Sequence, residues 1–169
     1  MGDGDRGFAD FVSAEQGALL RLAVLLSGDR GHAEDLVQTA LLKTYRHWDR
    51  ISRSGPPSAY VRRVLVTTHA SWRRRLSTTE QVVESVPDRP AAPHQDGDEE
   101  LRAALRELPV RMRTAVVLRY FEDLAEADAA AVLGCTRSTV RAHASRGLAR
   151  LRQVLDTGAE DRVPTAELA

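Results

Sequence analysis

The 169-residue chain has one cysteine, Cys135, so it can form neither an internal disulfide nor a cysteine-built metal cage. Lys43 is its only lysine, which leaves nearly all positive charge to arginine. Aromatic residues are 5% of the chain, too few for one large aromatic-rich core and better suited to two small helical ones. No apolar run approaches the ~20 residues that a membrane span needs. The opening MGDGDRGFADF lacks the basic start and apolar stretch of a secretory signal. There is no glycine-rich phosphate loop and no nucleophile motif. These absences describe a soluble, cytoplasmic protein with no membrane insertion, no cofactor and no metal.

Acid–base or metal chemistry is poorly served. His32, Glu34 and Asp35 fall within one helical turn, but His32 and Glu34 are two residues apart and point in different directions. His143 has no acidic neighbour on its own helix. The expectation is that the protein is not an enzyme.

Formal net charge is zero, yet the charge is segregated. Residues 50–79 contain no acid but carry Arg50, Arg53, Arg62, Arg63, Arg73, Arg74 and Arg75. Residues 129–155 are again free of acid, with Arg137, Arg141, Arg146, Arg150 and Arg152. Between them lies a stretch with Glu80, Glu84, Asp88, Asp96, Asp98, Glu99 and Glu100. Such blocks make local positive fields that a zero sum hides, and they fit a nucleic-acid ligand.

Hydrophobic spacing predicts an all-α chain: two small helical domains (7–76 and 98–155) joined by a flexible acidic linker (77–97), with a disordered tail (156–169). A first helix covers 8–26, ended by Gly28, and Asp29 can cap a second over 32–48. The second buries Ala33, Leu36, Val37, Ala40, Leu41, Thr44 and Trp48 on one face. Residues 49–57 read as a loop rich in Ser, Gly and Pro. Ser58 can cap a third helix to about Leu76, with the stripe Val61, Val64, Leu65, Thr68, Trp72 and Leu76. After the linker, helices are expected over 98–108, from Pro109 as first residue to 121, over 125–133, and over 137–155.

Residues 125–141, AEADAAAVLGCTRSTVR, fit a helix-turn-helix. Small residues allow close helix approach. Gly134 can take the left-handed conformation of a sharp turn, and Thr136 can cap the second helix. Val140, Ala144, Leu148, Leu151 and Leu155 face inward. Arg137, Ser138, Thr139, Arg141, Ala142, Ser145 and Arg146 lie on or beside the outer face, where a recognition helix meets a major groove. Arginine there can pair with guanine, while Ser and Thr mostly meet phosphate. A helical pair that merely packs is the plainer alternative, and the acid-free outer face speaks against it.

The third helix offers a second basic surface. Arg63, Thr67, Ala70 and Arg74 follow at near-helical spacing, flanked by Arg62 and Arg73. Trp72 could stack on a base, but its place on the apolar stripe favours the core. Tyr60 and His69 sit at the stripe's edges and are better placed for stacking. On the second helix, Asp35, Gln38, Thr39, Leu42 and Arg46 line the face away from the core. That mixed ridge could dock a partner protein, although lone exposed leucines usually mean nothing.

These motifs together resemble a known family. AEDLVQTAL (33–41), Tyr60 with WRRR (72–75), LPVRMR (108–113), VLGCT (132–136) followed by Thr139-Val140, and RGLARLR (146–152) resemble extracytoplasmic-function sigma factors, above all the sigma-E-like group of GC-rich bacteria. The resemblance covers residues 7–155. It implies a subunit that binds core RNA polymerase and directs it to promoter DNA, both duplex and melted non-template strand. The 7–76 domain would recognise and open the minus-ten element through Arg62, Arg63, Thr67, His69, Ala70, Arg73 and Arg74. The helix-turn-helix would read the minus-thirty-five element. Asp35, Gln38, Thr39, Leu42 and Arg46 would dock on the polymerase clamp helices. The 49–57 loop would capture a flipped base, and the linker would thread towards the RNA exit path. Many such factors are held inactive by an anti-sigma factor.

Two departures bear on specificity. Thr67 stands where relatives often carry Asn, and a hydroxyl cannot make an amide's bidentate contact. RSTVRAH (137–143) stands where Gly-Thr-Val-Lys-Ser is commoner, so the minus-thirty-five sequence cannot be borrowed. A helix-turn-helix regulator that binds duplex DNA without polymerase remains the alternative reading.

Overall fold

The computed structural model describes residues 2–78 and 96–160. The chain divides into two compact units, residues 1–91 and 92–169. Most of the linker expected over 77–97 lies outside the described residues. At its ends the chain is helical, through Thr78 and from Asp96.

Among the described residues, the first unit has four helices: α1 (Asp3–Ser27), α2 (Arg30–Tyr45), α3 (Trp48–Ser54) and α4 (Pro57–Thr78). Gly28 ends α1 in the left-handed conformation (φ 75°), and its N–H donates to the Val24 carbonyl. Asp29 caps α2 as expected, its Oδ1 accepting from the His32 N–H at 2.7 Å. The two helices therefore fold back on each other within the two-residue connection Gly28-Asp29. α4 packs on both. Leu19, Leu22, Ala23, Leu26, Ala33, Leu36, Val37, Ala40, Val61, Leu65 and Val66 form the shared core.

Residues 49–57 differ from expectation. Most of that segment is α3, a short helix that begins at Trp48. Trp48 therefore does not close α2, as its spacing predicted. The chain turns at Arg46-His47, and Trp48 packs edge-on against Phe8 at 5.2 Å and beside Phe11 at 5.1 Å. Tyr45 stacks on Phe8 at 5.0 Å. Ring pairs at such separations favour tilted and edge-on geometry, and this cluster anchors α3 to the start of α1. Only the short Gly55-Pro56 connection remains a loop, and Pro57, not Ser58, opens α4.

The second unit contains α5 (Asp96–Arg106), α6 (Val110–Val116) continuing as a π-helical turn (Val117–Phe121), α7 (Glu126–Leu133) and α8 (Arg137–Glu160). Pro109 sits one position before α6, not inside it, with φ −50° and ψ 138°. Ala104, Leu105, Leu108, Ala115, Val116, Val117, Leu118, Ala129, Ala130, Val140, Ala144 and Leu151 are buried. The π turn adds a residue and swings the chain towards α7. Its end is held by the Leu124 N–H donating to the Leu118 carbonyl (2.9 Å) and by the Arg119 guanidinium donating to the Leu124 carbonyl. α8 passes Asp156 and reaches Glu160, so the first part of the expected tail is helical. Residues 161–169 lie outside the described residues. Among the described residues there is no strand, no helix long and apolar enough to cross a membrane, and no cluster of metal-binding side chains.

Gly147 explains how closely α8 sits on α6. A Cβ there would lie 2.8 Å from Val116 Cγ2 and 3.2 Å from both Met112 Cβ and the Met112 carbonyl oxygen. Only glycine permits that approach.

Candidate nucleic-acid interface

α7, the turn at Gly134 and α8 form the expected helix-turn-helix. Gly134 is left-handed (φ 64°) and ends α7. Thr136 caps α8, its Oγ1 accepting from the Thr139 N–H at 3.2 Å. The same hydroxyl lies 2.9 Å from Ser138 Oγ and 2.8 Å from Thr139 Oγ1. The start of α8 is thus a fixed platform. Arg137, Ser138, Arg141, Ser145 and Arg146 are exposed on it, with Thr139 and Ala142 half-buried beside them. The Arg146 Nε donates to the Ala142 carbonyl at 3.2 Å, which lays that side chain along the helix. His143 sits at the edge of the packed face. Burial, then the charges of Arg146 and Arg111, hold its pKa below the usual histidine value.

One acid reaches this basic face from α7. Glu126 accepts two hydrogen bonds from Arg141, from Nε at 3.0 Å and from Nη2 at 2.8 Å. That hydrogen bond to Arg141, with the charges of Arg141, Arg119 and Arg137, holds the Glu126 carboxyl below its ordinary value, against a smaller rise from desolvation. Helical spacing carries no sign of this pair, because fifteen residues and a turn separate its members.

On α4 the structure brings only part of the expected minus-ten set to the surface. Arg63, Arg73 and Arg74 are exposed, and Arg62 and Thr67 are half-buried. Arg62 lies 3.7 Å from Glu15 of α1. His69 and Ala70 do not belong to the exposed set: they are 1% and 6% exposed. α4 meets both α1 and α2, so its buried arc is wider than the single stripe that spacing suggested, and it takes in Val66, His69 and Ala70. Trp72, conversely, is only half-buried and touches His32 edge-on at 4.8 Å. The Thr67 hydroxyl donates into its own helix, near the Arg63 and Val64 carbonyls (2.9 and 3.0 Å), so it faces outward as an acceptor.

Two hollows flank Tyr60. One, of 220 Å³, is lined by Arg50, Ile51, Ser54, Gly55, Pro56 and Tyr60. The other, of 290 Å³, is lined by Lys43, Arg46, His47, Tyr60, Val64, Thr67 and Thr68. Lys43 crosses its floor to Thr68, Nζ to Oγ1 at 3.1 Å. Arg50 belongs to the basic block and the 49–57 segment expected to meet nucleic acid; Lys43, Arg46 and His47 were not singled out as nucleic-acid contacts from sequence. The α3 turn, which spacing read as loop, is what gathers them.

The α2 ridge is as expected. Asp35, Gln38, Thr39, Leu42 and Arg46 are all exposed along one line of the helix, opposite Ala33, Leu36, Val37, Ala40 and Thr44. Leu42 is 54% exposed in the middle of that line.

The two helical units, one basic along α4 and the other ending in a basic helix-turn-helix, each match a known protein family. The family model described as sigma-70 region 2 matches residues 11–79, and that described as sigma-70, region 4 matches residues 98–151. The RNA polymerase sigma-E factor of Streptomyces avermitilis is 38% identical over 156 residues, covering 89% of this chain and 86% of that protein. The ECF RNA polymerase sigma factor EcfG of Rhodopseudomonas palustris is 30% identical over 161 residues, covering 92% and 89%. Among solved structures, the sigma factor RpoE from Bartonella quintana, in complex with the anti-sigma factor NepR, superposes with a TM-score of 0.65 at 27% identity, covering 89% of this chain and 98% of that one. The chain belongs to the extracytoplasmic-function RNA polymerase sigma factors.

Proposed function

We propose that the chain works in the cytoplasm as a non-catalytic promoter-recognition subunit, and that its two basic surfaces grip different parts of one promoter. Core RNA polymerase docks on the α2 ridge of Asp35, Gln38, Thr39, Leu42 and Arg46. Leu42 supplies the apolar contact and the four polar residues the surrounding rim, the usual anatomy of a protein interface. The platform of Arg137, Ser138, Thr139, Arg141, Ala142, Ser145 and Arg146 reads the duplex minus-thirty-five element. An anti-sigma factor, such as the one that holds the Bartonella relative, is the natural regulator of a chain with this fold.

Melting follows from differential binding. Arg62, Arg63, Thr67, Arg73 and Arg74 hold the backbone and bases of the non-template strand. The 220 Å³ hollow between α3 and the start of α4 takes a base turned out of the stack, with Tyr60 as its aromatic wall and Arg50 as its cation. Unstacking costs a few kcal/mol per base. Stacking on an aromatic ring is worth ~1–3 kcal/mol per base, and phosphate contacts add to it. The open strand is therefore held where the closed duplex is not.

The observation that carries this reading is the hollow itself. It joins an aromatic wall, a cation and a bounded floor at the foot of the basic α4 helix. The test is transcription in vitro with core polymerase and this chain as the only specificity factor. A start at defined promoters is expected, with permanganate-reactive thymines around the minus-ten element. Duplex binding with no promoter-specific start would instead mark a helix-turn-helix regulator that works without polymerase.

A further inference from the structure

Resting on the reading that α8 meets duplex DNA, we propose that Glu126 is a positioning residue for base readout, holding the Arg141 guanidinium so that its far edge fits one guanine. A guanidinium has five N–H donors in a rigid planar fork. Glu126 engages the near edge, Nε and one N–H of Nη2. The far edge, one N–H each from Nη1 and Nη2, is left to point away from the protein. That edge has the geometry to donate two parallel bonds to the O6 and N7 of guanine in the major groove.

The surroundings favour this arrangement. Glu126 is the first residue of α7, fixed at a helix start where a carboxylate is favoured. Its side chain is 21% exposed, whereas that of Arg141 is 70% exposed. The holder is anchored in the protein and the held group projects from it. An unsupported arginine samples many rotamers and meets phosphate as readily as a base. One fixed by a two-point contact loses less freedom on docking and presents one orientation. The carboxylate also repels nearby phosphates, which weakens non-specific attachment and steers Arg141 away from the backbone.

A contrary role is conceivable from the same contact: Glu126 could sequester Arg141 and have to release it. The two differ in outcome. Full-length protein with core polymerase is presented with a promoter library randomised across the minus-thirty-five element, and relative occupancies are measured for wild type, Glu126→Gln, Arg141→Ala and the double variant. Positioning predicts that wild type prefers guanine at one position and that Arg141→Ala abolishes the preference. Glu126→Gln lowers it about three- to tenfold, a part of the worth of one bidentate pair. Binding to scrambled duplex does not fall in Glu126→Gln, and the double variant behaves as Arg141→Ala alone. Replacing that guanine by 7-deazaguanine weakens wild type more than Glu126→Gln.

The inference is overturned if Glu126→Gln keeps the wild-type preference at every position. It is also overturned if that variant binds all sequences more tightly with the preference intact, the signature of sequestration, or if Arg141→Ala weakens all sequences alike, the signature of a phosphate contact. Were wild type itself to select no sequence, the broader reading of α8 would fail, which the wild-type lane reveals by itself.

Discussion

Gly147→Ala pits two effects of opposite sign against each other, and the structure says which wins. Alanine in a helix interior is favoured over glycine by ~1 kcal/mol. At Gly147 the new methyl would stand 2.8 Å from Val116 Cγ2 and 3.2 Å from the Met112 carbonyl oxygen, where carbon contacts are comfortable at ~3.5–4.0 Å. Neither neighbour can yield cheaply. Val116 is 1% exposed and stiff about χ1, and the Met112 carbonyl is part of the α6 backbone. Overpacking of this kind costs ~1–3 kcal/mol. The net result is a second unit destabilised by about 1 kcal/mol, or roughly 4–8 °C in Tm for a domain of this size. Gly17→Ala is the control. Its methyl meets only Arg21 Nη1 at 3.5 Å, the end of a flexible exposed chain, so the first unit should gain ~0.5–1 kcal/mol. Both tryptophans, Trp48 and Trp72, lie in the first unit. Tryptophan fluorescence therefore follows that unit alone, while far-ultraviolet circular dichroism follows both. Gly147→Ala should lower a transition seen by dichroism and leave the fluorescence midpoint in place. A raised dichroism midpoint would refute the close α6–α8 packing on which the helix-turn-helix rests.

Arg146→Ala should weaken promoter binding about tenfold and relax minus-thirty-five preference, while a far-minus-ten library stays unaffected; wild-type selectivity in a binding titration would remove Arg146 from the interface. Leu42→Asp, at a position 54% exposed, should leave Tm within about 1 °C and weaken association with core polymerase at least tenfold, read by co-elution or fluorescence anisotropy. Asp29→Ala removes the cap of α2 and should cost the first unit ~1 kcal/mol in urea unfolding. For His143 the folded state disfavours the proton, since burial and two arginines lower its pKa. The unfolded chain then binds more protons, so this residue's contribution to stability is present above the ordinary histidine pKa and is lost as pH falls through that value towards the lower folded one. The second unit should be less stable on the acid side of that window, and His143→Gln should flatten the slope in dichroism melts.

Local chemistry made much of the fold legible. Gly28, Asp29, Gly134 and Thr136 do at their turns what their residue types suit them for. The buried faces of α2 (Ala33, Leu36, Val37, Ala40 and Thr44) and of α8 (Val140, Ala144 and Leu151) follow helical spacing. Spacing failed where tertiary contacts overrode it. Trp48 lies in register with the α2 stripe, yet the Phe8–Phe11–Tyr45 cluster captures it and starts α3 there. His69 and Ala70 lie on the flank of the expected stripe, and become core because α4 has two helices to cover. The π turn at Val117–Phe121 leaves no periodic trace, since one extra residue only blurs a period of 3.6. At the site, charge segregation located both basic surfaces. The Glu126–Arg141 contact and the two hollows around Tyr60 depend on how successive helices turn back on one another, which helical spacing does not report.

Run-off transcription from a genomic promoter pool is the most direct measurement, with core polymerase in the presence or absence of this chain. The expected result is a set of starts that appear only with the chain, share sequence at two separated elements, and fade when Tyr60→Ala or Arg141→Ala replaces wild type. Transcripts identical with and without the chain, from a protein shown to be folded, would contradict it.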